Sequence, residues 1–348
     1  MKKFLTIAGV LAFVAILAGT GCSIATSLCP QIAVGRFQKM LYQGQSPNSW
    51  EPISETVRGV QENGIYLVSN LKYGETYPNS FLDVSYPSME DTLSSRPTLI
   101  YFHGGGYFGG SKGYGDPLTG GGGNGKVLVA LVKEGFNLVN VDYALVPDYH
   151  FPVPVLQMNQ AINYCIRHAQ ELHLDMEHVV VMGGSAGAIM TAQYGAILSN
   201  PEYKALYPFE EQPLLPLSAL QAVVVDDAPI DIPLFDNRSI KILIGNYLDN
   251  NVFFTDKQKA HWYNAINYLN ASFPPAFMTA GTEDGFPKDM AHMSEVLTGL
   301  GVNNDNFVTP EDKYGLTKHG YLQDLGTVAA KDCYAAMMRF LRKHVSLK

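Results

Sequence analysis

HVVVMGGSAGAIM, residues 178–190, is the stretch on which the reading of this chain turns. Four apolar residues, Val179 to Met182, run into Gly183-Gly184-Ser185-Ala186-Gly187, and Ala, Ile and Met follow. A short apolar run predicts a buried strand, and residues 186–198 predict the helix after it. A G-x-S-x-G sequence between the two predicts a tight strand-to-helix turn that pushes the serine hydroxyl out beyond the sheet. Small residues two places before and two after keep neighbouring side chains clear of it. The helix start behind Ser185 adds partial positive charge where an anionic oxygen would form. In a chain with 33 glycines the pentapeptide alone is weak, and an N-capping serine in a glycine turn is the plain alternative. Its place between a strand and a helix gives it weight.

One strand–helix unit upstream, residues 96–102 (RPTLIYF) predict another buried strand, and His103-Gly104-Gly105-Gly106 follow. Glycines let backbone N–H groups turn inward without an obstructing Cβ, as an oxyanion hole requires. Gly105 and Gly106, with the N–H of Ala186, are the expected donors. Tyr107 and Phe108 come next and are expected to line the mouth of the site.

Outward from these motifs the same alternation continues. Strands are expected at 64–73, 80–86, 136–143, 220–225, 276–280 and 306–309. Helices are expected at 127–134, 152–172, 257–269, 288–300 and 328–344. Strands alternating with helices predict an α/β fold whose sheet is mostly parallel and covered by helices on both faces, with an antiparallel start at one edge. Residues 30–60 read as an irregular polar lead-in, so that 23–60 precede a single domain at 61–348. Residues 231–262 read as a small cap insertion.

In these motifs the chain resembles the α/β-hydrolase superfamily, in particular the hormone-sensitive-lipase-like and bacterial esterase branch. The resemblance runs from about Thr98 to the C-terminus. It is carried by His103-Gly-Gly-Gly106, by Gly183-Gly-Ser-Ala-Gly187, and by Asp142-Tyr-Ala-Leu-Val-Pro147-Asp148 with Phe151-Pro152. Gly184 stands where that branch has Asp, Ala188 where it often has Gly, and Ala144 where it has Arg. These departures point toward bacterial acyl esterases or a feruloyl-esterase-like branch.

The resemblance implies an α/β-hydrolase fold and a triad in the order Ser, Asp, His. The family places its acid three residues after a glycine that leaves a strand, which selects Asp284 in Gly281-Thr282-Glu283-Asp284. Glu283, in the same loop, is the alternative. For the base, His319 precedes Gly320 in a loop before the last helix. His168, His173, His292 and His344 fall on helical patterns, His178 opens a strand, and His103 belongs to the glycine motif. His150 and His261 come too early. The implied chemistry is attack by Ser185 on an ester, with His319 as base, Asp284 orienting it, and an acyl-enzyme intermediate. Short acyl or carbohydrate-linked esters are the expected substrates. A serine peptidase or amidase on the same fold is the alternative, and a catalytically silent binding protein a further one.

At the N-terminus Lys2 and Lys3 precede an apolar run from Phe4 to Ala18, then Gly19-Thr20-Gly21-Cys22. Fifteen residues at 1.5 Å span roughly 22 Å, short of the ~30 Å of a bilayer core. An export signal over 1–22 is therefore expected, and Cys22 resembles a lipobox cysteine; ordinary cleavage and a retained anchor are the alternatives. The expected location is outside the cytoplasm, with membrane contact only through a lipid at Cys22. The formal charge of −8 gives no electrostatic reason to bind nucleic acid. No Cys/His spacing suits a metal, so no metal or cofactor is expected. Cys165 and Cys333, inside helical patterns, read as buried apolar residues. Cys29 carries no assignment.

Overall fold

The structure is a computed structural model and describes residues 24–94, 96–119 and 125–347. The expected export signal, with Cys22, lies outside these. Strands β1 (Arg58–Val60), β2 (Tyr66–Lys72), β3 (Phe81–Tyr86), β4 (Arg96–Phe102), β5 (Asn137–Val141), β6 (Leu174–Gly184), β7 (Leu220–Asp226), β8 (Ala276–Thr279) and β9 (Asn304–Phe307) form one sheet. Their order is β1-β2-β3-β5-β4-β6-β7-β8-β9. The pairings β1–β2, β2–β3 and β3–β5 are antiparallel, and every pairing from β5 to β9 is parallel.

Among the described residues the helices of five residues or more are α1 (Ile24–Leu28), α2 (Gln31–Leu41), α3 (Gly125–Lys133), α4 (Val153–Arg167), α5 (Ala186–Ser199), α6 (Arg238–Tyr247), α7 (Lys257–Tyr263), α8 (Pro287–Gly299) and α9 (Val328–His344). Strand side chains alternate between the two faces. Ile100, Phe102, Val181, Val223 and Val225 pack beneath α4, α5 and α8. Their neighbours Leu99, Tyr101, Val180, Met182 and Val224 pack against α3 and α9. Burial on both faces explains why β4, β6 and β7 read as continuous apolar runs rather than alternating ones. Cys165 lies in the first of these layers and Cys333 in the second, both free thiols pushed up to about 12 by burial; Cys29 is free and exposed.

Two readings need correction. The lead-in is not irregular: α2 buries Ala33, Val34 and Phe37 at no more than 2% exposure. Its sequence, QIAVGRFQKML, has the spacing of a one-faced helix, with Gly35 interrupting the pattern. The helix expected over 257–269 stops at Tyr263 and gives way to a 3₁₀ turn at Ala265–Tyr268. The 231–262 segment carries α6 and α7.

The loops that leave the carboxyl ends of the parallel strands gather at one edge of the sheet. Gly104–Gly106 follow β4, Ser185 follows β6, Asp227 follows β7, Asp284 follows β8 and His319 follows β9. This end of an open parallel sheet is where such folds place their sites.

Candidate active site

Ser185 sits on the turn between β6 and α5 with φ +50° and ψ −114°, a conformation that L-residues rarely adopt. The turn is closed by Ser185 N–H donating to the Asp226 carbonyl at 2.8 Å. It also needs both flanking glycines. A Cβ on Gly183 would lie 2.2 Å from the Gly187 carbonyl, and one on Gly187 2.0 Å from the Phe102 carbonyl oxygen. Ser185 is thereby fixed at the floor of a cavity of about 420 Å³ that His319, Gly106 and Ala186 also border.

His319 is brought to this cavity by the loop after β9. Its Nδ1 lies 3.2 Å from Oδ2 of Asp227, a fully buried residue. At that distance the carboxylate acts on the ring through its charge and as the facing acceptor for Nδ1. Asp227 immediately follows β7 and itself has φ +64°. Its carboxylate is caged by backbone donors: Gly281 N–H at 3.0 Å and Gly320 N–H at 2.8 Å on Oδ2, and Phe286 N–H at 2.8 Å on Oδ1. Three such charge-assisted bonds hold a carboxylate in one orientation.

The sequence reading placed the orienting acid at Asp284, with Glu283 as alternative, and here the structure differs. Asp284 is exposed, and its Oδ1 accepts a hydrogen bond from the backbone N–H of His319 rather than from the ring. Glu283 is exposed too, its backbone N–H donating to the Thr317 carbonyl at 2.9 Å. The physical reason is that the β9 loop lies over the end of β7. It sets the imidazole on Asp227 and leaves only its own backbone to Asp284. The signal for Asp227 was present, as an acid pair closing the apolar run LQAVVVDD.

Burial alone would depress the His319 imidazole, but Asp227 outweighs this, with Asp116 and Asp226 adding to it, and the pKa is pushed up to about 9. Asp226, beside Asp227, is pushed up to about 7 by burial and by its neighbour's charge, while Gln323 Nε2 donates to its Oδ2 at 2.6 Å. His103 is no competing base. Burial lowers it to about 4, its ring stacks on Tyr143 at 4.3 Å, and Nδ1 is 2.7 Å from the Gly104 carbonyl oxygen.

The glycine loop after β4 is wound with φ +115° at Gly105, +57° at Gly106 and +64° at Tyr107. A Cβ at Gly105 would meet the Gly109 carbonyl oxygen at 2.1 Å. Gly106 borders the cavity, and Gly105 is not among the residues that line it. The two aromatics part company. Tyr107 does border the cavity, with its hydroxyl donating to the Ala186 carbonyl at 3.0 Å and its ring stacked on Tyr247 at 3.4 Å. Phe108, expected at the mouth, instead turns into the core, edge-on to Phe37 at 5.4 Å.

One wall of the cavity was not anticipated in detail: Ile240, Leu243 and Ile244 of α6, facing Ile189 and Leu118. The cavity is also lined by charged residues: Lys288, with Nζ 2.8 Å from Asp236 Oδ2, and Glu283. Among the described residues no cluster of three or more His, Cys, Asp or Glu is arranged to hold a metal ion.

Known proteins resemble this chain over most of its length. It is 24% identical over 258 residues to carboxylesterase NlhH of Mycobacterium tuberculosis (strain CDC 1551 / Oshkosh), covering 73% of this chain and 76% of that one. Esterase B from Lactobacillus rhamnosis (HN001) has the same fold, with a TM-score of 0.67 at 18% identity over 96% of each chain. A truncated carbohydrate esterase from gut microbiota superposes with a TM-score of 0.62 at 16% identity, over 82% of this chain and all of that one. The BD-FAE family model matches residues 82–291, three-fifths of the sequence. With its α/β-hydrolase fold and esterase relatives, the chain is a carboxylesterase-type hydrolase and belongs to the BD-FAE family.

Proposed function

We propose that ester hydrolysis here runs through a Ser185–His319–Asp227 triad and an acyl-enzyme. The observation that carries this reading is the caged Asp227 carboxylate, 3.2 Å from Nδ1 of a histidine that borders the same cavity as Ser185. Asp227 fixes the ring with its proton on Nδ1, leaving Nε2 to take the proton of the Ser185 hydroxyl. As Oγ bonds to the ester carbon, the carbonyl electron pair moves to oxygen. The N–H groups of Gly106 and Ala186 hold that oxyanion; each such donor is typically worth about 3 kcal/mol of barrier. Collapse expels the alcohol, which takes its proton from His319, and water repeats the sequence to release the acid.

The mixed lining of the cavity supports a short acyl group against Ile240 and Leu243 and a polar alcohol, such as a sugar, beside the Asp236–Lys288 pair. An exported location, with a lipid at Cys22, would favour exogenous esters of this kind. Incubation with an organophosphonate, then peptide mapping, should place a single label on Ser185, and the label should abolish p-nitrophenyl acetate hydrolysis. A label elsewhere, or an active labelled protein, rejects the nucleophile. Matched ester and anilide panels then test ester against amide cleavage.

The raised His319 pKa has a kinetic sign. Only the neutral imidazole can accept the serine proton, so protonation below about pH 9 removes the base. The pH profile of kcat/KM should therefore rise with unit slope through neutrality and level off near pH 9. A plateau already reached at pH 7 contradicts the carboxylate cluster around His319.

A further inference from the structure

We infer that the N-terminal helix α2 is a working part of the site, and that Gln38 is a positioning residue for the oxyanion loop. This rests on the hydrolase reading above and deepens it. Gln38 is 4% exposed, and its single side-chain amide donates to two carbonyls from distant parts of the chain. They are Phe108 O at 2.8 Å and Val146 O at 2.5 Å. Both amide hydrogens are thus used, and the two loops they join are also tied by Val146 N–H donating to Tyr107 O at 3.0 Å.

The brace reaches Gly106 in one step. Phe108 is held by Gln38 at its carbonyl and by Phe37 at its ring. That ring lies against Gly106, close enough that a Cβ there would come 2.9 Å from Phe108 Cε1. The end of α2 closes the other side of the loop: a Cβ on Gly109 would meet Leu41 at 3.2 Å and the Tyr42 hydroxyl at 3.6 Å. The left-handed turn at Gly105–Tyr107, which aims the Gly106 N–H, is therefore clamped from behind by a helix that contributes no group to the cavity. A donor acts on the transition state only if it is already aimed, and a small misplacement weakens it more than it weakens substrate binding.

The test uses the full 348-residue chain with Gln38→Met, which keeps side-chain length but removes both donors, and Gln38→His, which keeps one. Rates are expressed per site titrated with an organophosphonate, so an unfolded fraction does not enter. Gln38→Met should lower kcat about tenfold with KM changed less than about twofold, and should weaken binding of an arylboronic acid, a tetrahedral mimic, by a similar factor. Gln38→His should fall between it and wild type. Unchanged kcat per titrated site, or a loss confined to the titrated fraction, overturns the brace. Wild-type protein that takes no phosphonate label overturns the triad reading instead.

Discussion

Asp227→Asn is expected to lower kcat by about 10⁴-fold per titrated site, whereas Asp284→Asn lowers it by less than about tenfold. A loss of 10⁴ corresponds to about 5.5 kcal/mol of barrier, more than a lost surface contact supplies. The reason lies in what surrounds each acid. An asparagine at 227 with its NH2 in the place of Oδ2 meets the imidazole, favouring the wrong tautomer, and also meets the N–H donors of Gly281 and Gly320; with its NH2 in the place of Oδ1 it meets the N–H of Phe286. Each choice sets donor against donor, and both lose the carboxylate charge that holds the ring. Removing the carboxylate also removes the main charge that raises the His319 pKa, so the acid limb of the surviving activity should move to lower pH. Asp284 touches only the backbone N–H of His319, and an asparagine carbonyl can accept that same bond. Steady-state hydrolysis of p-nitrophenyl acetate over pH 6 to 10 reads both effects. If Asp284→Asn proves the more damaging variant, Asp227 is not the orienting acid.

The acid shows where sequence reading stops. Ser185, the glycine loop and His319 were legible because each belongs to a local pattern: a strand, a small-residue turn and the element after it. Their structural needs are met within a few residues, as the closure of Gly183 on Gly187 shows. Choosing between Asp227 and Asp284 is not a local matter. Both stand at carboxyl ends of parallel strands, and the distinction depends on which one the β9 loop covers, a contact 92 positions from Asp227 to His319 in the chain. Phe108 teaches the same lesson. Read with its neighbours it is a loop aromatic beside a site, but Phe37, supplied by a helix that passed for an irregular lead-in, draws it into the core. The sheet itself was readable almost throughout, since β4, β6 and β7 are buried on both faces and carry long apolar runs.

Ser185→Ala should lower kcat by about 10⁶-fold, and adding Asp227→Asn should make it no worse, because the two act as one unit and the second has nothing left to activate. Measured against phosphonate-free protein with unchanged circular dichroism, a further large drop in the double variant would show that Asp227 acts by some route other than His319. Residue 185 carries a second, independent expectation. At φ +50° and ψ −114° any side chain is strained, a cost on the order of 1–3 kcal/mol that alanine retains and glycine does not. Ser185→Gly should therefore be the more stable of the two inactive variants, with a thermal midpoint up to about 3 °C above that of Ser185→Ala. Glycine's greater freedom in the unfolded chain opposes this by under about 1 kcal/mol, so the sign follows from the larger folded-state strain. Equal midpoints would mean that the turn is relaxed with a side chain in place. The serine would then be held out by Gly183 and Gly187 alone, rather than by a backbone that the β6–β7 pairing forces into the left-handed region.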